Sequence, residues 1–257
     1  MSTVLDSIIV GVLEDLSARK IPMQQLEARL KKAPTVRDGY LALAASGMQI
    51  IAEVKRSSPS KGALAPIGDP AALALQYQSA GAAVISVLTE GRRFGGSPSD
   101  LIAVRSAVQI PVLRKDFIVT EYQVIESRVL GADLLLLIVA ALSDSQLRDY
   151  QALAYELGMS VLVEVHNEEE LQRAINIKAK IIGVNARNLK TLEINESAFN
   201  ELLPLIPLDV IKVAESGIAH RQQVVAAEVL GAKAILVGET LVRAGDPARA
   251  IAELLGT

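Results

Sequence analysis

The 257-residue sequence contains no cysteine, no tryptophan and only two histidines. The absence of cysteine excludes disulfides, thiolate nucleophiles and zinc–thiolate sites, and two histidines are too few for a histidine-rich metal site. Aromatic residues make up only 3% of the chain whereas hydrophobic residues make up 51%, so the core must be aliphatic. An aliphatic core favours parallel strands covered on both faces, as in an α/β barrel, over a β-sandwich.

Long runs of basic or apolar residues are also missing. No basic block is longer than a pair such as those at positions 31–32 and 92–93, and the formal net charge is −3, so we expect no nucleic-acid partner. The longest apolar run, residues 134–142, is far shorter than the roughly 20 residues that span a bilayer. The first residues, with an early acid, make a poor signal peptide. We therefore expect a soluble, cytoplasmic protein with no membrane partner.

A recurring unit organises the chain: a helix end, a glycine, and then a short apolar strand. The glycines are Gly81, Gly131, Gly158 and Gly231, each placed where a helix C-cap needs a left-handed residue. The runs that follow are too short for helices and too uniformly apolar for half-exposed strands, which is typical of parallel strands buried on both faces. Four further apolar runs have the features of strands but no such glycine before them. Eight strands are therefore predicted, beginning near residues 50, 84, 111, 134, 161, 181, 210 and 234.

Amphipathic segments fill the gaps between these strands. They predict helices at 70–79, 100–106, 121–130, 143–157, 168–175, 198–205, 221–230 and 247–255. Eight strands alternating with eight helices predict a (β/α)8 barrel of the TIM type over residues 48–257. The alternative is a doubly wound open sheet, which usually has a GxGxxG turn after its first strand. Here residues 55–60 are Lys-Arg-Ser-Ser-Pro-Ser.

Residues 1–47 fall outside the repeat. They predict an N-terminal helical extension, with helices at 4–18 and 23–31, within a single domain of residues 1–257. The sequence allows two alternative placements for this extension: against the floor of the barrel, as a cap, or at the active-site face.

Charged residues cluster where this fold places its active site, at the carboxyl ends of the strands. The residues at these ends are Glu53, Lys55, Lys115, Glu164, Asn185, Glu215, Ser216 and Gly238. One such charge alone would be an ordinary solvated strand end. Two lysines and three carboxylates at one end of a closed barrel indicate a functional set, because buried charges need partners. For Glu53 and Glu215 the alternative is an ion-pair network that only stiffens the barrel mouth.

The loops after strands one, seven and eight indicate a phosphate site. Ser58 lies in the first loop, Gly217 in the second and Gly238 in the third. Many barrels hold phosphate between the last two loops, at the start of a short extra helix, where glycines let backbone N–H groups approach the anion. The loop at 92–97 is either a lid or a mobile solvent loop. His166 and His220 receive no predicted role, and a metal pair of His166 with Glu164 is not favoured.

Ordered motifs give a family resemblance. They are IAEVKRSSPSKG at 51–62, FGGS at 94–97, LRKDF at 113–117, EVH at 164–166, GVNARNL at 183–189 and AESGI at 214–218. On these motifs and the N-terminal extension, the chain resembles the indole-3-glycerol phosphate synthases between about residues 50 and 245. Two features depart from the family pattern: Ala186 stands where many members have Asn or Ser, and APIGDP at 65–70 replaces the usual Phe-Asp-Pro ending of the first loop.

The resemblance implies a reaction and its partners. The substrate would be 1-(2-carboxyphenylamino)-1-deoxyribulose 5-phosphate, converted to indole-3-glycerol phosphate by ring closure, decarboxylation and dehydration in tryptophan biosynthesis. This is carbon–carbon carboxy-lyase chemistry, and the family performs it without a cofactor or metal. The implied partners are the small phosphorylated substrate and, among proteins, other enzymes of the tryptophan pathway.

The resemblance also implies catalytic roles. Lys115 would protonate the ketone as the aromatic carbon attacks it, which suits a lysine whose pKa is moved toward the working pH. Glu164 would be the base that takes a proton before hydroxide leaves. Lys55 would hold the substrate carboxylate or phosphate and act as an acid in dehydration, and Glu53 would orient the lysines.

The remaining site residues would bind substrate. Asn185 and Ser216 would hydrogen-bond its hydroxyls or carboxylate. The other expected contacts are Arg187 near the carboxylate, Ser58, Gly217 and Gly238 at the phosphate, Phe94 and Phe117 against the ring, and Glu215.

Two other functions are alternatives to this one. Phosphoribosylanthranilate isomerases are also phosphate-binding barrels, but their mechanism uses a Cys/Asp pair. The chain has no cysteine, which argues against this function. A non-catalytic or engineered phosphate-ligand-binding barrel would have no need for the charged set. The feature that discriminates is the joint presence of Glu53, Lys55, Lys115, Glu164 and Asn185.

Overall fold

Eight parallel strands form a closed barrel in the computed structural model, which describes residues 3–189 and 191–256. The described residues contain these eight barrel strands and two short strands outside the barrel. In chain order the ten are β1 (Gln49–Val54), β2 (Ser57–Ser58), β3 (Gly62–Ala63), β4 (Val84–Leu88), β5 (Val112–Lys115), β6 (Leu134–Ile138), β7 (Ser160–Val165), β8 (Ile181–Asn185), β9 (Ile211–Glu215) and β10 (Ala234–Val237). The barrel closes because β1 pairs with both β4 and β10, whereas β2 and β3 form a separate hairpin. The (β/α)8 prediction is confirmed; positions 1, 2, 190 and 257 of the predicted 1–257 domain lie outside the described residues.

Helices cover the outside of the barrel. They are α1 (Val4–Arg19), α2 (Met23–Leu30), α3 (Gly39–Ala44), α4 (Pro70–Ser79), α5 (Pro98–Ala107), α6 (Glu121–Val129), α7 (Asp144–Glu156), α8 (Glu168–Asn176), α9 (Ala198–Leu202), α10 (Arg221–Val229), α11 (Glu239–Arg243) and α12 (Pro247–Leu255). The predicted helix at 198–205 ends early and continues as the 3-10 turn Leu203–Leu205, because Pro204 has no N–H to donate. In the described part of the chain, no helix is long and apolar enough to cross a membrane.

Each barrel strand contributes to two cores, because successive side chains of a strand point to opposite faces. In β6, Leu135 and Leu137 pack between the barrel and its helices, whereas Leu134, Leu136 and Ile138 fill the barrel interior. Burial on both faces explains why the strands are apolar nearly throughout. Polar residues inside the barrel are therefore concentrated at the strand ends.

The glycines of the sequence repeat end helices, as predicted. Gly81, Gly131, Gly158 and Gly231 have φ values of 95°, 94°, 82° and 91°, in the left-handed region that a side chain rarely adopts. Each follows a helix and turns the chain into the next strand. This turn sets where each strand enters the barrel, and hence where its carboxyl end lies.

The N-terminal extension runs from the mouth of the barrel to its floor. At the mouth, Leu5 and Ile8 of α1 line the main cavity. Helix α2 packs beside α6, and α3 lies at the floor, where a Cβ on Gly39 would be 2.4 Å from the side chain of Leu134. Both placements allowed by the sequence therefore occur: α1 lies at the active-site face and α3 at the floor of the barrel.

Asp133 ties the extension to the floor of the barrel. Its side chain is fully buried and accepts hydrogen bonds from the backbone N–H groups of Arg37 (2.8 Å) and Val112 (2.9 Å). Arg105 forms an ion pair with the same carboxylate at 2.9 Å. Burial raises the pKa of Asp133 above its ordinary value, and these partners offset the rise only in part.

We predict that Asp133→Ala lowers the free energy of unfolding by about 3 kcal/mol, because it leaves the buried Arg105 guanidinium and two backbone donors without their acceptor. Urea denaturation would measure the loss. Asp149→Ala, on the exposed surface of α7, is the matched control and should change stability by no more than about 0.5 kcal/mol. Equal losses in the two variants would contradict the assigned role of Asp133.

Candidate active site

A cavity of about 450 Å³ opens at the carboxyl ends of the barrel strands. This volume is typical of sites for small molecules. All of the residues proposed from the sequence line it: Glu53, Lys55, Ser58, Phe94, Lys115, Phe117, Glu164, Asn185, Arg187, Glu215, Ser216, Gly217 and Gly238. Residues far apart in the chain therefore share one space.

Lys115 lies at the centre of the charged set, at the end of β5. Its ammonium donates a hydrogen bond to Oε2 of Glu164 at 2.8 Å and lies 3.7 Å from Oε2 of Glu215. Both carboxylates are only 1% exposed. Neither oxygen of Glu215 has a hydrogen-bond partner among the described residues. Lys115 is thus shared unequally between two buried carboxylates, with Glu164 as its close partner.

The residues beside Lys115 anchor the end of β5. Arg114 points to the opposite face of the strand and is fully buried. Its guanidinium pairs with Asp116 at 2.9 Å and with Glu126 of α6 at 3.0 Å, and it donates to Thr89 at 3.1 Å. This network fixes the backbone from which Lys115 projects.

The carboxylates control the protonation of the set. Burial disfavours the charge of Lys115, but Glu164, Glu215 and Glu53 outweigh burial and raise its pKa above the ordinary value. Burial likewise opposes the charge of Glu164, but Lys115 and then His166 hold its pKa below the ordinary value. Burial and the negative charge of Glu164 raise the pKa of Glu215 to about 8. In the free protein the pKa of Lys115 is therefore farther above neutral pH than that of an ordinary lysine. The sequence-based expectation was the opposite, a pKa moved toward the working pH.

A second lysine–glutamate pair lies on β1 and on the loop that follows. Lys55 Nζ lies 2.5 Å from Oε1 of Glu53, and Oε2 of Glu53 accepts a hydrogen bond from Ser86 at 3.5 Å. Gly238 approaches this pair so closely that an added Cβ would be 2.7 Å from Oε1 of Glu53. A larger residue at this position would therefore displace the carboxylate.

The loops after β9 and β10 form one wall of the cavity. Ser216 and Gly217 are successive residues with φ of 67° and 74°. This conformation is uncommon for serine and is typically kept at functional sites. Thr240 joins the two loops by donating from Oγ1 to the carbonyl oxygen of Ile218 at 2.9 Å. Helix α11, which follows Gly238, is the short extra helix expected from the sequence.

Ser58 adds a polar atom from another side. It lies in the hairpin after β1, and its Oγ is buried without a hydrogen-bond partner in the described part of the chain. A buried hydroxyl that lacks a protein partner is available to a ligand.

Apolar side chains form another part of the lining. The rings of Phe94 and Phe117 lie 6.0 Å apart, tilted by 38°, which is a favourable aromatic contact. Leu5 and Ile8 of α1 line the same cavity. One region of the cavity therefore suits a flat apolar group.

The loop that carries Phe94 is held in place. The Glu90 carboxylate accepts hydrogen bonds from the backbone N–H groups of residues 92, 93 and 94 at 2.8–3.0 Å. Arg92 forms ion pairs with Glu14 and Asp15 of α1 at 2.7 and 2.6 Å. The structure ties this segment to the extension, and the two sequence-based alternatives, a lid and a mobile solvent loop, stay predictions.

Asn185 and Arg187 line the cavity while they also hold the loop after β8. Oδ1 of Asn185 accepts from the backbone N–H of Arg187 at 2.9 Å. The guanidinium of Arg187 donates to the carbonyl oxygen of Leu192 at 2.9 Å. Their side chains are therefore already oriented in the free protein.

Sequence reasoning missed several residues that line the cavity. They include Leu5 and Ile8, whose spacing on an amphipathic helix indicated only packing, and the additional residues Leu192, Ile194 and Arg243. It also assigned no role to His166, although this residue is two positions after Glu164 and so follows it on the same side of the strand. No group of three or more His, Cys, Asp or Glu placed to hold a metal ion occurs among the residues that the structure describes.

We predict that Gly183→Ala destabilises the protein by roughly 1–3 kcal/mol, because a Cβ at this position of β8 would lie 2.0 Å from Oε1 of Glu215. Thermal unfolding followed by circular dichroism would show the loss. Gly68→Ala is the control, since nothing lies within 4 Å of a Cβ there. If the two variants melted together, the close packing of Glu215 on β8 would be wrong.

Comparisons with known proteins agree with this geometry. The family model described as "Indole-3-glycerol phosphate synthase" matches residues 5–254. The chain is 54% identical over 258 residues to the indole-3-glycerol phosphate synthase of Paenarthrobacter aurescens, covering 98% of this chain and 95% of the relative. It is 55% identical over 256 residues to that of Mycolicibacterium smegmatis, covering 99% and 94%.

A solved structure supports the fold independently. A chain of the tryptophan synthase a2b2 complex of Pyrococcus furiosus superimposes with a TM-score of 0.61 at 15% identity, over 87% of this chain and 100% of that chain. At this low identity the likeness concerns the barrel alone. The full-length family match and the high identity to relatives decide the family: this chain belongs to the indole-3-glycerol phosphate synthases.

Proposed function

We propose that this chain converts 1-(2-carboxyphenylamino)-1-deoxyribulose 5-phosphate to indole-3-glycerol phosphate, carbon dioxide and water, as a carbon–carbon carboxy-lyase. One observation carries the proposal. The buried pair of Lys115 with Glu164 stands beside a second pair, Lys55 with Glu53, in a cavity that has an apolar region and glycine-containing loops. The first pair supplies an acid and a base, and the surrounding surfaces suit the aromatic and phosphate parts of this substrate.

The substrate would lie with its ring against Phe94 and Phe117. Its phosphate would lie among Ser58, Gly217 and Gly238, where glycines let backbone N–H groups approach an anion. This placement brings the ketone between the two ends of the substrate and toward Lys115. Holding both ends keeps the attacking carbon and the ketone close together, which lowers the entropic part of the barrier.

Ring closure and decarboxylation would use Lys115 as the acid. The ring carbon that carries the carboxylate attacks the ketone carbon, and Lys115 gives a proton to the ketone oxygen as the new carbon–carbon bond forms. The bond to the carboxylate then breaks, carbon dioxide leaves, and its electrons restore the aromatic ring. The raised pKa of Lys115 means that the residue starts the reaction protonated. Substrate atoms placed between Lys115 and the carboxylates would weaken their pull on the proton.

Dehydration would use Glu164 as the base. Glu164 takes a proton from the cyclised intermediate, and the hydroxyl made in the first step leaves as water with a proton from a lysine. Lys55 is the acid proposed for this step, and Lys115 could serve again once it is reprotonated. Glu53 would orient Lys55, with which it is paired in the free protein.

Other polar residues would complete the contacts. Asn185, Ser216 and Glu215 would hydrogen-bond the substrate hydroxyls, and Arg187 would add positive charge near the carboxylate. The small phosphorylated substrate is the main proposed partner. A cytoplasmic location, with other tryptophan-pathway enzymes as protein partners, belongs to the same proposal.

The alternatives find less support. A phosphoribosylanthranilate isomerase would need a Cys/Asp pair for its mechanism, and the chain has no cysteine. A binding barrel without catalysis would have no use for a buried lysine held against two carboxylates, an arrangement that is costly in a protein interior.

We predict that Lys115→Ala lowers kcat by at least about 100-fold, because it removes the proton donor for ring closure. The appearance of indole fluorescence on adding the substrate would measure turnover. Lys32→Ala, on an exposed residue away from the cavity, is the control and should keep the parent rate. Near-normal turnover in Lys115→Ala would reject Lys115 as the acid, and no product from the parent protein would reject the proposed function.

We predict that Gly238→Val raises KM and weakens binding of indole-3-glycerol phosphate by at least about tenfold, or 1.4 kcal/mol. The added side chain would displace Glu53 and fill space next to the proposed phosphate position. Calorimetric titration of the product would measure affinity, with Gly68→Val, at an open position, as the control. Unchanged affinity would place the phosphate elsewhere.

A further inference from the structure

His166 is a buried histidine that contacts the catalytic set from behind. It directly follows β7, and only 9% of its side chain is exposed. Its Nε2 lies 3.4 Å from Oε1 of Glu164, whose other oxygen accepts the hydrogen bond from Lys115. Glu164 therefore lies between two nitrogen groups, one on each oxygen.

The imidazole is held in this position from its other side. Nδ1 of His166 lies 2.9 Å from Oε2 of Glu170, in the first turn of α8. The same oxygen accepts the backbone N–H of His166 at 2.9 Å. Asn167 fixes Glu170 in turn by donating to Oε1 at 2.8 Å. The start of α8 thus sets the direction in which Nε2 points.

The surroundings favour the protonated form of the ring. Only the imidazolium can present an N–H to carboxylates on both sides. Burial lowers the pKa of His166, but the contacts with Glu164 and Glu170 outweigh it and raise the pKa to about 9. His166 therefore carries a positive charge at neutral pH.

On the side of His166, the first turn of α8 carries Glu168 and Glu169 in addition to Glu170. The neighbouring strands β6 and β8 end in Ile138 and Asn185, which do not titrate, and the turn Val139–Ala141 after β6 is apolar. The charged groups on the far side of Glu164 are Lys115 of β5, Glu215 of β9 and Glu53 of β1.

Glu164 would meet a difficulty during the proposed reaction. When Lys115 gives its proton to the ketone it becomes neutral, and Glu164 loses its close cation. Burial and the nearby charge of Glu53 would then drive Glu164 to take up a proton. A protonated Glu164 could not act as the base of the following step.

We propose that His166 is a positioning residue that acts as the second cationic partner of Glu164, keeping this carboxylate oriented and ionised while Lys115 is without its proton. The inference rests on the proposed function, because it assumes the roles of Lys115 and Glu164 in that reaction. His166 itself does not line the cavity, and it acts only through Glu164.

The state of Nε2 supports this role. It is buried, and no acceptor among the described residues lies at hydrogen-bonding distance with suitable geometry. A buried donor without a hydrogen bond is uncommon and calls for an explanation. A donor held 3.4 Å from Glu164 in the free protein is available to tighten its contact when the lysine turns away.

The protonation of His166 can be tested directly, without any enzyme assay. The chain has only two histidines, so an NMR spectrum contains two imidazole Cε1–H signals, and the variant His220→Gln identifies that of His166. We expect the His166 signal to titrate near pH 9, and at lower pH in Glu170→Gln, which removes one of its two anionic partners. A His166 signal that titrates at or below pH 7 in the parent protein would overturn the proposal.

The variant His166→Gln tests the catalytic consequence. Without the second cation the pKa of Glu164 rises during the reaction, so the acidic limb of the kcat–pH profile should move to higher pH. A displacement of at least one unit lowers kcat about tenfold below that limb, while KM stays within about twofold because ground-state contacts are kept. His220→Gln, on an exposed residue outside the cavity, should leave the profile unchanged.

The outcomes separate the two proposals. If the parent protein makes no product, the proposed function fails whatever the NMR result. If the parent is active and His166→Gln is folded, an unmoved acidic limb rejects the role of His166 and leaves the function intact. A loss of kcat that is equal at every pH would indicate a merely structural role and would also reject it. If His166→Gln does not fold, the NMR titration of the parent protein still decides.

Discussion

The buried ion pair between Lys115 and Glu164 governs the electrostatics of the barrel mouth, because neither charge would be stable there alone. Each partner holds the pKa of the other away from neutral pH, and Glu215, whose nearest cation is 0.9 Å farther away than that of Glu164, is left with a raised pKa. The pair joins β5 and β7, which are separated by β6, and their side chains meet because the curved sheet turns both strand ends into the barrel interior. The chemistry of the site therefore depends on closure of the sheet, and anything that loosens the barrel also alters these protonation states.

Several features away from the cavity act on this pair. Arg114 and its carboxylate partners fix the end of β5, and the start of α8 fixes the ring of His166 behind Glu164. These contacts lie on the outer face of the strands or behind their ends, where helices cover them. The catalytic geometry is thus supported from the helical layer, which explains why charged residues such as Arg114 are retained in a core that is otherwise aliphatic.

The sequence predicted the barrel well because its signals are local. Helix-ending glycines such as Gly131 and doubly buried strands such as β6 each specify their own segment, and the (β/α)8 architecture follows from their number and alternation. The residues facing the cavity were also predictable, since the fold sends strand ends to one rim. Contacts between distant segments were not. Nothing local in Leu5 indicates that α1 covers the mouth, and nothing beside Lys115 shows that three carboxylates would raise its pKa.

The path of the extension has a consequence for the order of synthesis. The extension leaves the ribosome before the barrel strands, yet its partners come much later: Arg92 lies 77 positions after Asp15, and Glu126 lies 107 positions after Arg19. Helix α1 therefore cannot dock until well over a third of the chain has emerged, and its apolar face stays uncovered in the meantime. The segment that completes the entrance to the site therefore depends on residues that are made well after it.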